Sequence, residues 1–498
     1  MPDTPYQQLE ARMARLGALN QATEVLYWDM AAMMPSGGGE ARTEQLTALN
    51  AVSHTMLTAP EIPDLLDAAE ADTGLDAWQQ ANLKEIHHRW LKATALNERL
   101  VEALTRASTT CEAKWREARP AADFKSILPE LTELFALVRE AGEAKAEVLN
   151  LSLYDAMLDD YEPGGRTADI DEVFGDLAAF LPGFTARVLE YQATQPAVVS
   201  PRGPFPIAKQ RKLAESLMKQ IGFDFDHGRL DVSLHPFCGG VPDDVRITTR
   251  YDEADFTSSL MGVLHETGHA LYERGLPASW RSQPVGQSLG MSTHESQSLL
   301  IEMQVCRSAA FLAFAAPLMR EAFGGSGPAW ELDNLNRLYT RVEPSFIRVD
   351  ADEVTYPAHI ILRYRLEKAM LADDLALGDL PGAWNDGMKE LLGIVPPDDR
   401  VGCLQDLHWY DGAWGYFPTY SLGAMTAAQL YDAAKTSVSG LEQSIQEGNF
   451  SPLLAWLVEN VHAKGRSVGP SDILKQATGR SLDATVFKQH LTARYLPS

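Results

Sequence analysis

Residues 265–269 read HETGH, and their types and spacing are those of a metal site that carries its own general base. Histidines four positions apart lie on the same face of an α-helix, so His265 and His269 can converge on one tetrahedral ion. Glu266 lies on the adjoining flank, from which it can reach a water molecule bound to that ion. The segment therefore predicts a hydrolytic metal centre, against the alternative of two histidines that only pack or cap a helix.

Such a site requires a helix, and the surrounding sequence predicts one from Asp255 or Phe256 to Gly275. The acidic residues at 252, 253 and 255 complement the positive end of the helix dipole. The helix carries one apolar stripe, made of Leu260, Val263, Leu264, Thr267 and Leu271. The two histidines point to the opposite side, away from the predicted core.

A catalytic zinc ion has three protein ligands and one open position, so a third ligand must come from elsewhere in the chain. Residues from 293 onward predict a second helix, with Glu295 near its start and Glu302 two turns later. Glu295 is the predicted ligand. The spacing leaves an alternative open, because Ser292 to Glu295 also fits a capping box in which Glu295 bonds back to the Ser292 backbone.

Two further motifs bear on this interpretation. The extended pattern HExxHxxGxxH is not met, because Tyr272 and Gly275 stand where its glycine and last histidine belong. Residues 286–290, GQSLG, match the GxSxG elbow of serine hydrolases. That elbow follows a buried strand, whereas the preceding residues are polar and include Pro284. A loop between the two metal-bearing helices explains GQSLG better.

The charge and composition of the whole chain restrict its partners. Its 498 residues include 43 Lys and Arg against 68 Asp and Glu, a net charge of −25, which repels nucleic acid and anionic lipid. The longest apolar run begins at Ala309, contains Pro317 and is too short to span a bilayer. The amino terminus does not read as a secretory signal, and the four cysteines are scattered without a disulfide pattern. We expect a soluble, cytoplasmic protein with no nucleic-acid or membrane partner.

Apolar spacing predicts a mainly helical chain. Helical periodicity runs from Gln7 to about Leu151. Between Leu230 and Thr249, β-branched residues and turn signals predict a short strand or two. The glycines at 37–39 are not followed by the lysine of a phosphate loop, so we expect a flexible bend or lid hinge there. No cluster of helix breakers is long or polar enough for an interdomain linker, which favours one domain over residues 1–498.

Five motifs occur in order along the chain: DxRxT at 244–248, HExxH at 265–269, HES at 294–296, IRxxADE at 347–353 and GxxQDxHW at 402–409. Segments 28–35, 154–164, 235–237 and 415–423 accompany them. Together they resemble the Taq-type metallocarboxypeptidases of bacteria and archaea. The resemblance extends over nearly the whole chain.

This resemblance implies a fold and a metal. The fold would be mainly α, a saddle-like helical body with a deep active-site groove and a small β-sheet near the metal site, usually as a homodimer. The helical part at about residues 1–150 would form one wall of the groove. His265, His269 and Glu295 would bind one divalent metal ion, zinc with cobalt able to substitute. This implied ligand set favours Glu295 as a ligand over the capping box.

The resemblance also implies a carboxypeptidase that removes single amino acids from the free carboxyl terminus of peptides, with broad specificity. A metal-activated water would be the nucleophile, and Glu266 would be the general base. Tyr420 and His235 would stabilise the oxyanion, by resemblance to related helical metallopeptidases. The alternatives are a loop aromatic packed for stability at 420 and a core histidine at 235.

Arg348 is the predicted anchor for the free carboxylate of the substrate, because a guanidinium can bind a carboxylate with two parallel hydrogen bonds. The alternative is an ion pair between Arg348 and nearby Asp350 or Asp352.

Arg246 and His408 complete the candidates for contact with the substrate. Arg246 lies two residues from Asp244 and can instead form an ion pair with it. His408, with Trp409, is expected to line the groove or to brace it.

Two other functions are compatible with the sequence. One is a metallo-oligopeptidase that cuts internal bonds, since the same metal apparatus serves both reactions. The other is a helical interaction protein with a non-catalytic metal site. An intact Glu266 and an open ligand position argue against the second, because structural zinc sites are normally closed by four protein ligands.

Overall fold

The structure is a computed structural model that describes residues 3–497, and helices dominate it. The amino-terminal part of the described chain holds eight helices: α1 (Pro5–Ala32), α2 (Gly39–Leu57), α3 (Ile62–Glu70), α4 (Ala77–Ala95), α5 (Glu98–Ala121), α6 (Phe124–Leu149), α7 (Leu153–Leu158) and α8 (Thr167–Thr194). Side-chain caps start several of them. Thr4 and Gln7 form a capping box at α1, and Asp76 and Gln79 form one at α4.

The central part contains the strands and the HExxH helix: α9 (Ile207–Ile221), β1 (Gly228–Val232), β2 (Cys238–Val241), β3 (Asp244–Thr249), α10 (Phe256–Gly275) and α11 (Met291–Leu299). A π-helical segment, Leu300–Cys306, continues α11 and is called the π-turn below. The prediction of short strands between residues 230 and 249 is confirmed, although the structure has three strands there and not one or two, and the first begins at Gly228.

The last part is again helical: α12 (Ala309–Phe323), α13 (Leu332–Tyr339), α14 (Tyr356–Leu371), α15 (Leu380–Leu392), α16 (His408–Asp411), α17 (Pro418–Ser437), α18 (Leu441–Gln446), α19 (Ser451–Asn460), α20 (Pro470–Thr478) and α21 (Ala484–Tyr495). The expectation of a mainly α fold with a small β-sheet is therefore confirmed.

The sheet has the order β1-β3-β2, with β1 parallel and β2 antiparallel to the central β3. Alternation along β3 gives its two faces different roles. Val245 and Ile247 are buried and join the core that includes Leu260 and Leu264 of α10. Arg246 points the other way, over the ring of Trp28 in α1. The sheet thus links α1 to the helix that carries the HExxH motif.

Two large apolar clusters form the core, and α17 contributes to both. Leu422 and Met425 of α17 belong to a cluster shared with α5, α6, α8, α14, α15 and α21. Ala427 and Leu430 belong to a second cluster around α9, α10 and α12. A third, smaller cluster joins α1, α3 and α4. Residues 3–150 are therefore divided between two cores, since α5 and α6 pack into the main body and α1, α3 and α4 have a core of their own.

Two other expectations from the sequence can be compared with the described residues. Within residues 3–497, no single helix is long and apolar enough to cross a membrane, and one pair of segments meets that test only jointly, across a 75° bend. The four cysteines at 111, 238, 306 and 403 are free. The glycines at 37–39 lie where a short 3-10 turn, Ser36–Gly38, joins α1 to α2.

Candidate active site

Helix α10 presents the two motif histidines as the sequence predicted. It begins at Phe256 and ends at Gly275, and the side chain of Asp255 caps it by accepting the Thr257 amide at 2.8 Å. The apolar stripe packs against the core: Val263 and Leu264 are fully enclosed, and Leu271 at its end is half-buried. His265 and His269 are half-buried on the other side of the helix.

Glu295 of α11 lies next to both histidines. Its Oε2 atom is 3.7 Å from Nε2 of His265 and 3.4 Å from Nε2 of His269. The three candidate ligand atoms all lie within 4.8 Å of one another. Two imidazoles and one carboxylate at this separation form a donor set that suits a zinc-like divalent ion and leaves a ligand position open. The residues present therefore fit the metal that the motif predicts.

The capping-box alternative for Glu295 is wrong. Helix α11 begins at Met291 with Gly290 as its cap, so Glu295 stands a full turn inside the helix. Its carboxylate accepts a hydrogen bond from the Ser298 hydroxyl at 3.2 Å. The backbone amide of Ser292 donates instead to Glu162, at 2.9 Å.

Gly268, inside the motif, permits the close approach of α11 to α10. A methyl group at this position would stand 2.5 Å from the carbonyl oxygen of Gln297 and 2.6 Å from the α-carbon of Ser298. Any larger residue would push α11, and with it Glu295, away from the histidines. The small residue inside HETGH therefore serves the packing of the site.

Glu302 contacts Nδ1 of His265, the ring nitrogen that does not face Glu295. Nδ1 of His265 contacts Oε2 of Glu302 at 3.0 Å, and Arg307 donates to the other carboxylate oxygen of Glu302 at 2.5 Å. A carboxylate at Nδ1 fixes the tautomer that leaves Nε2 free for a metal ion. Sequence reasoning placed Glu302 two turns after Glu295 but gave it no role.

His269 is also contacted at its Nδ1 atom, in this case by another histidine. Its Nδ1 atom lies 2.6 Å from Nδ1 of His294, whose Nε2 contacts Glu273 at 2.9 Å. Sequence reasoning also missed this chain of contacts. The sequence feature that could have predicted these contacts is His294, the histidine of the HES motif, which directly precedes Glu295.

Charge and burial set the protonation of the two glutamates. Burial opposes ionisation of Glu295, but His265 and His269 outweigh it and lower its pKa to about 2. A metal ligand must be ionised in this way. In contrast, burial raises the pKa of Glu266 to about 7, and its side chain is only 7% exposed. Among the described residues, Oε2 of Glu266 has no hydrogen-bond partner.

Arg348 does not pair with Asp350 or Asp352, so that alternative is wrong. It pairs with Asp406, through Nη2 at 2.8 Å and Nε at 3.1 Å. Asp352 accepts instead the backbone amide of Glu343 and donors of residues 354 and 355. Nη1 is the guanidinium nitrogen of Arg348 that does not donate to Asp406.

Arg348 lies beside Tyr420, and the two side chains form a cluster with Tyr356 and His408. Its guanidinium carbon is 4.8 Å from the centre of the Tyr420 ring, and Nη1 donates to the Tyr356 hydroxyl at 3.2 Å. Nε2 of His408 lies 3.3 Å from the Tyr420 hydroxyl. Burial raises the pKa of Tyr420 to about 12, so its hydroxyl keeps its proton at neutral pH. Tyr420 stands in the first turn of α17 and not in a loop, and its ring packs against the core cluster that includes Leu422.

The other predicted residues lie in different surroundings. Arg246 forms the expected ion pair with Asp244, through contacts of 3.0 and 2.6 Å. Trp409 is buried and donates to Glu367 at 2.8 Å, which is a bracing role. His235 lies in the loop between β1 and β2 and is exposed, so the core-histidine alternative is wrong.

The serine-hydrolase elbow is excluded by local structure. Residues before Ser288 form a 3-10 turn, Pro284–Gly286, and among the described residues no strand lies between α10 and this turn. The carbonyl of Ser288 accepts a hydrogen bond from Arg466 at 2.7 Å. The segment is a loop between α10 and α11, as expected.

A cavity of about 1360 Å³ lies beyond the first turn of α11. Ser292 and Thr293 are among its lining residues, together with residues of α4 and the segment 466–472, whereas the three candidate ligands are not. The three candidate ligands therefore do not line this cavity.

A helix-borne HExxH pair completed by a glutamate from the next helix defines the chain as a metallopeptidase. The family model for Carboxypeptidase Taq (M32) metallopeptidases matches residues 8–495. The chain belongs to this family, and it is a metallocarboxypeptidase. The resemblance seen in the motifs is thereby confirmed.

Individual relatives match this chain over nearly their full lengths. The chain is 38% identical to thermostable carboxypeptidase 1 of Thermus thermophilus, covering 99% of each protein. It is 33% identical to carboxypeptidase 1 of Bacillus subtilis, covering 97% of this chain and 96% of the relative. Its structure matches that of Trypanosoma cruzi metallocarboxypeptidase 1 with a TM-score of 0.97 at 41% identity, covering 99% of each chain.

Proposed function

We propose that this metallocarboxypeptidase is zinc-dependent and removes single residues of many kinds from the free carboxyl terminus of peptides. The observation that carries the proposal is the grouping of three candidate ligand atoms within 4.8 Å of one another, beside the buried Glu266, whose Oε2 atom has no hydrogen-bond partner among residues 3–497. Cobalt is expected to substitute for zinc, since the donor set of two imidazoles and a carboxylate suits both.

His265, His269 and Glu295 would hold the ion. A bound divalent ion supplies Lewis acidity, which polarises the scissile carbonyl and lowers the pKa of a water molecule towards neutrality. Glu266 accepts the proton of the attacking water and passes it to the leaving amine. Its pKa, raised by burial to about 7, suits both halves of this transfer near neutral pH.

Tyr420 and Arg348 act on the substrate from α17 and the segment after residue 347. The Tyr420 hydroxyl, protonated at neutral pH, donates to the oxyanion that forms at the scissile carbonyl. The Nη1 edge of Arg348 binds the terminal carboxylate, while Asp406 holds the other edge in place. The side chain of His408 supports the Tyr420 hydroxyl.

His235 and Arg246 have supporting roles in the proposal. His235 lies on an exposed loop, from which it would reach the oxyanion only when a peptide is bound. Arg246, held by Asp244 and by the ring of Trp28, would contact the substrate from the sheet.

The remaining parts of the proposal concern the whole molecule. Residues 1–498 would act as one domain with a deep groove, of which residues 1–150 form one wall. The protein would work in the cytoplasm as a homodimer on peptides, without a nucleic-acid or membrane partner. The net charge of −25 supports the exclusion of nucleic acid.

A time course on one peptide tests the proposal. The peptide is supplied with a free and with an amidated carboxyl terminus, each with and without a chelator, and products are followed by mass. We expect sequential loss of single residues from the free acid, arrest by the chelator and recovery with Zn²⁺ or Co²⁺. Equal cleavage of the amide would point to an oligopeptidase, and no cleavage of either peptide would point to a binding protein.

A further inference from the structure

The π-turn, Leu300–Cys306, carries Glu302, the residue that contacts His265. In a π-turn the hydrogen bonds run from residue i to i+5, so each side chain after Leu299 is offset from its position in a continued α-helix. The turn is buried apart from Met303. The direction of Glu302 therefore depends on an irregular backbone that other residues must support.

Arg494 of α21 supports this backbone from the far end of the chain. Its guanidinium donates to the carbonyl of Met303 and, through Nη2 at 3.1 Å, to the carbonyl of Gln304. The side chain of Arg494 is 11% exposed. A planar fork that binds two successive carbonyls fixes the path of the turn directly after Glu302.

Glu353 anchors Arg494 and the turn together. Its side chain, 4% exposed, accepts from Arg494 at 2.9 Å and from Gln304 at 2.9 Å. His490 at 2.8 Å and the Tyr495 hydroxyl at 2.9 Å complete its partners. Burial alone raises the pKa of Glu353, but His490 and Arg494 outweigh it and hold that pKa below its ordinary value. An ionised carboxylate thus joins α21, the π-turn and the segment that follows Arg348.

We propose that Arg494 and Glu353 are positioning residues, which hold the π-turn so that Glu302 keeps His265 oriented for the metal ion. Neither residue touches the substrate, and both act through Glu302. The inference rests on the proposed metal site. A contact outside the ligands commonly changes metal affinity by about 10–100-fold, which makes the effect measurable without turnover.

Metal affinity of the stripped full-length protein, measured by competition with a chromophoric chelator, tests the inference. The variants are Arg494→Met, Arg494→Lys, Glu353→Gln and Glu302→Gln. Lys488→Met is the matched control, because Lys488 lies on the same helix and pairs with Asp176 at the surface, at 2.6 Å. Thermal unfolding and circular dichroism accompany every variant.

We expect Arg494→Met and Glu353→Gln to bind Zn²⁺ about 10-fold more weakly than wild type, and Lys488→Met to bind as wild type does. Arg494→Lys keeps the charge but not the planar guanidinium, so its affinity for Zn²⁺ should lie between those of Arg494→Met and wild type. In the double variant Arg494→Met with Glu302→Gln, affinity should equal that of Glu302→Gln alone, because both changes remove the same support. A residue that only stabilises the fold would not give this result.

Three outcomes would overturn the inference. One is wild-type affinity in Arg494→Met, or in Arg494→Lys and Glu353→Gln if Arg494→Met does not fold. Another is a full additional loss when Arg494→Met is combined with Glu302→Gln. Failure of the wild-type protein to bind Zn²⁺ would overturn the proposed function as well, so the two failures are distinguished by the wild-type titration.

Discussion

Gly423 of α17 packs directly against the side chain of Glu295 of α11. A methyl group at Gly423 would stand 2.9 Å from Cβ and Cγ of Glu295 and 3.1 Å from the carbonyl oxygen of Ser292. The helix that carries Tyr420 is thus in contact with the candidate metal ligand. We expect Gly423→Ala to shift Glu295, to weaken Zn²⁺ binding and to lower the free energy of unfolding by about 1–3 kcal/mol.

Chelator competition and urea unfolding check this expectation. Gly175→Ala is the control, since Gly175 lies inside α8 and a methyl group there meets nothing within 4 Å. That change should be neutral or slightly stabilising. Equal behaviour of the two variants would show that Gly423 is not needed for the placement of Glu295.

Glu266→Gln should stop turnover and spare metal binding. The glutamine keeps the shape of the side chain but cannot accept a proton, so kcat should fall by about 10²–10⁴-fold. Elemental analysis of the variant should still find one ion per chain. Near-normal kcat in a metal-loaded variant would remove Glu266 from the proposed mechanism.

Arg348→Ala should reduce the preference for a free carboxylate. Loss of charge-assisted hydrogen bonds costs about 1.5–3 kcal/mol, so kcat/KM for the free acid should fall by roughly 10–100-fold, mainly through KM. The ratio of kcat/KM between free and amidated peptide is the measurement. Arg341→Ala, which removes an exposed guanidinium paired with Glu343, serves as control. An unchanged ratio in Arg348→Ala would assign carboxylate recognition to another residue.

Asp406 should make stability depend on pH in the acid range. Burial alone raises its pKa, but the guanidiniums of Arg363 and Arg348 outweigh burial and hold the pKa far below its ordinary value. A carboxyl whose folded pKa is lowered stabilises the fold above its unfolded pKa of about 3.9, and this stabilisation is lost as pH falls further. Asp406→Asn should therefore cost about 3–5 kcal/mol at pH 7 and progressively less below about pH 4.

Urea unfolding of the metal-stripped protein at several pH values checks the effect of Asp406. Asp350→Asn is the control, because Asp350 is exposed and its replacement should change stability by less than about 0.5 kcal/mol. A difference between wild type and Asp406→Asn that stays constant from pH 7 to pH 3 would contradict the assignment.

The sequence was sufficient for the parts of the site that depend on local periodicity. Helix α10 has the predicted bounds, and His265 and His269 share a face because a 3.6-residue repeat requires it. The ion pair of Arg246 with Asp244 was also predictable, since residues two apart in a strand lie on the same side.

The parts that depend on tertiary packing were not predictable from spacing. The ion pair considered as the alternative for Arg348 lay within its own segment, but its partner Asp406 is 58 positions away. The choice between ligand and cap for Glu295 depended on where α11 begins, and one-residue shifts at helix ends are beyond a propensity argument. The contact of Glu302 with His265 depends on the π-turn, and no local sequence pattern predicted that turn.

The metal content of the protein tests the central claim most directly. Stripped wild-type protein is titrated with Zn²⁺ alongside a variant in which His265, His269 and Glu295 are all replaced by glutamine or asparagine. We predict one ion bound per chain in wild type and none in the triple variant. No stoichiometric uptake by wild type, or retention of the ion by the triple variant, would contradict the account.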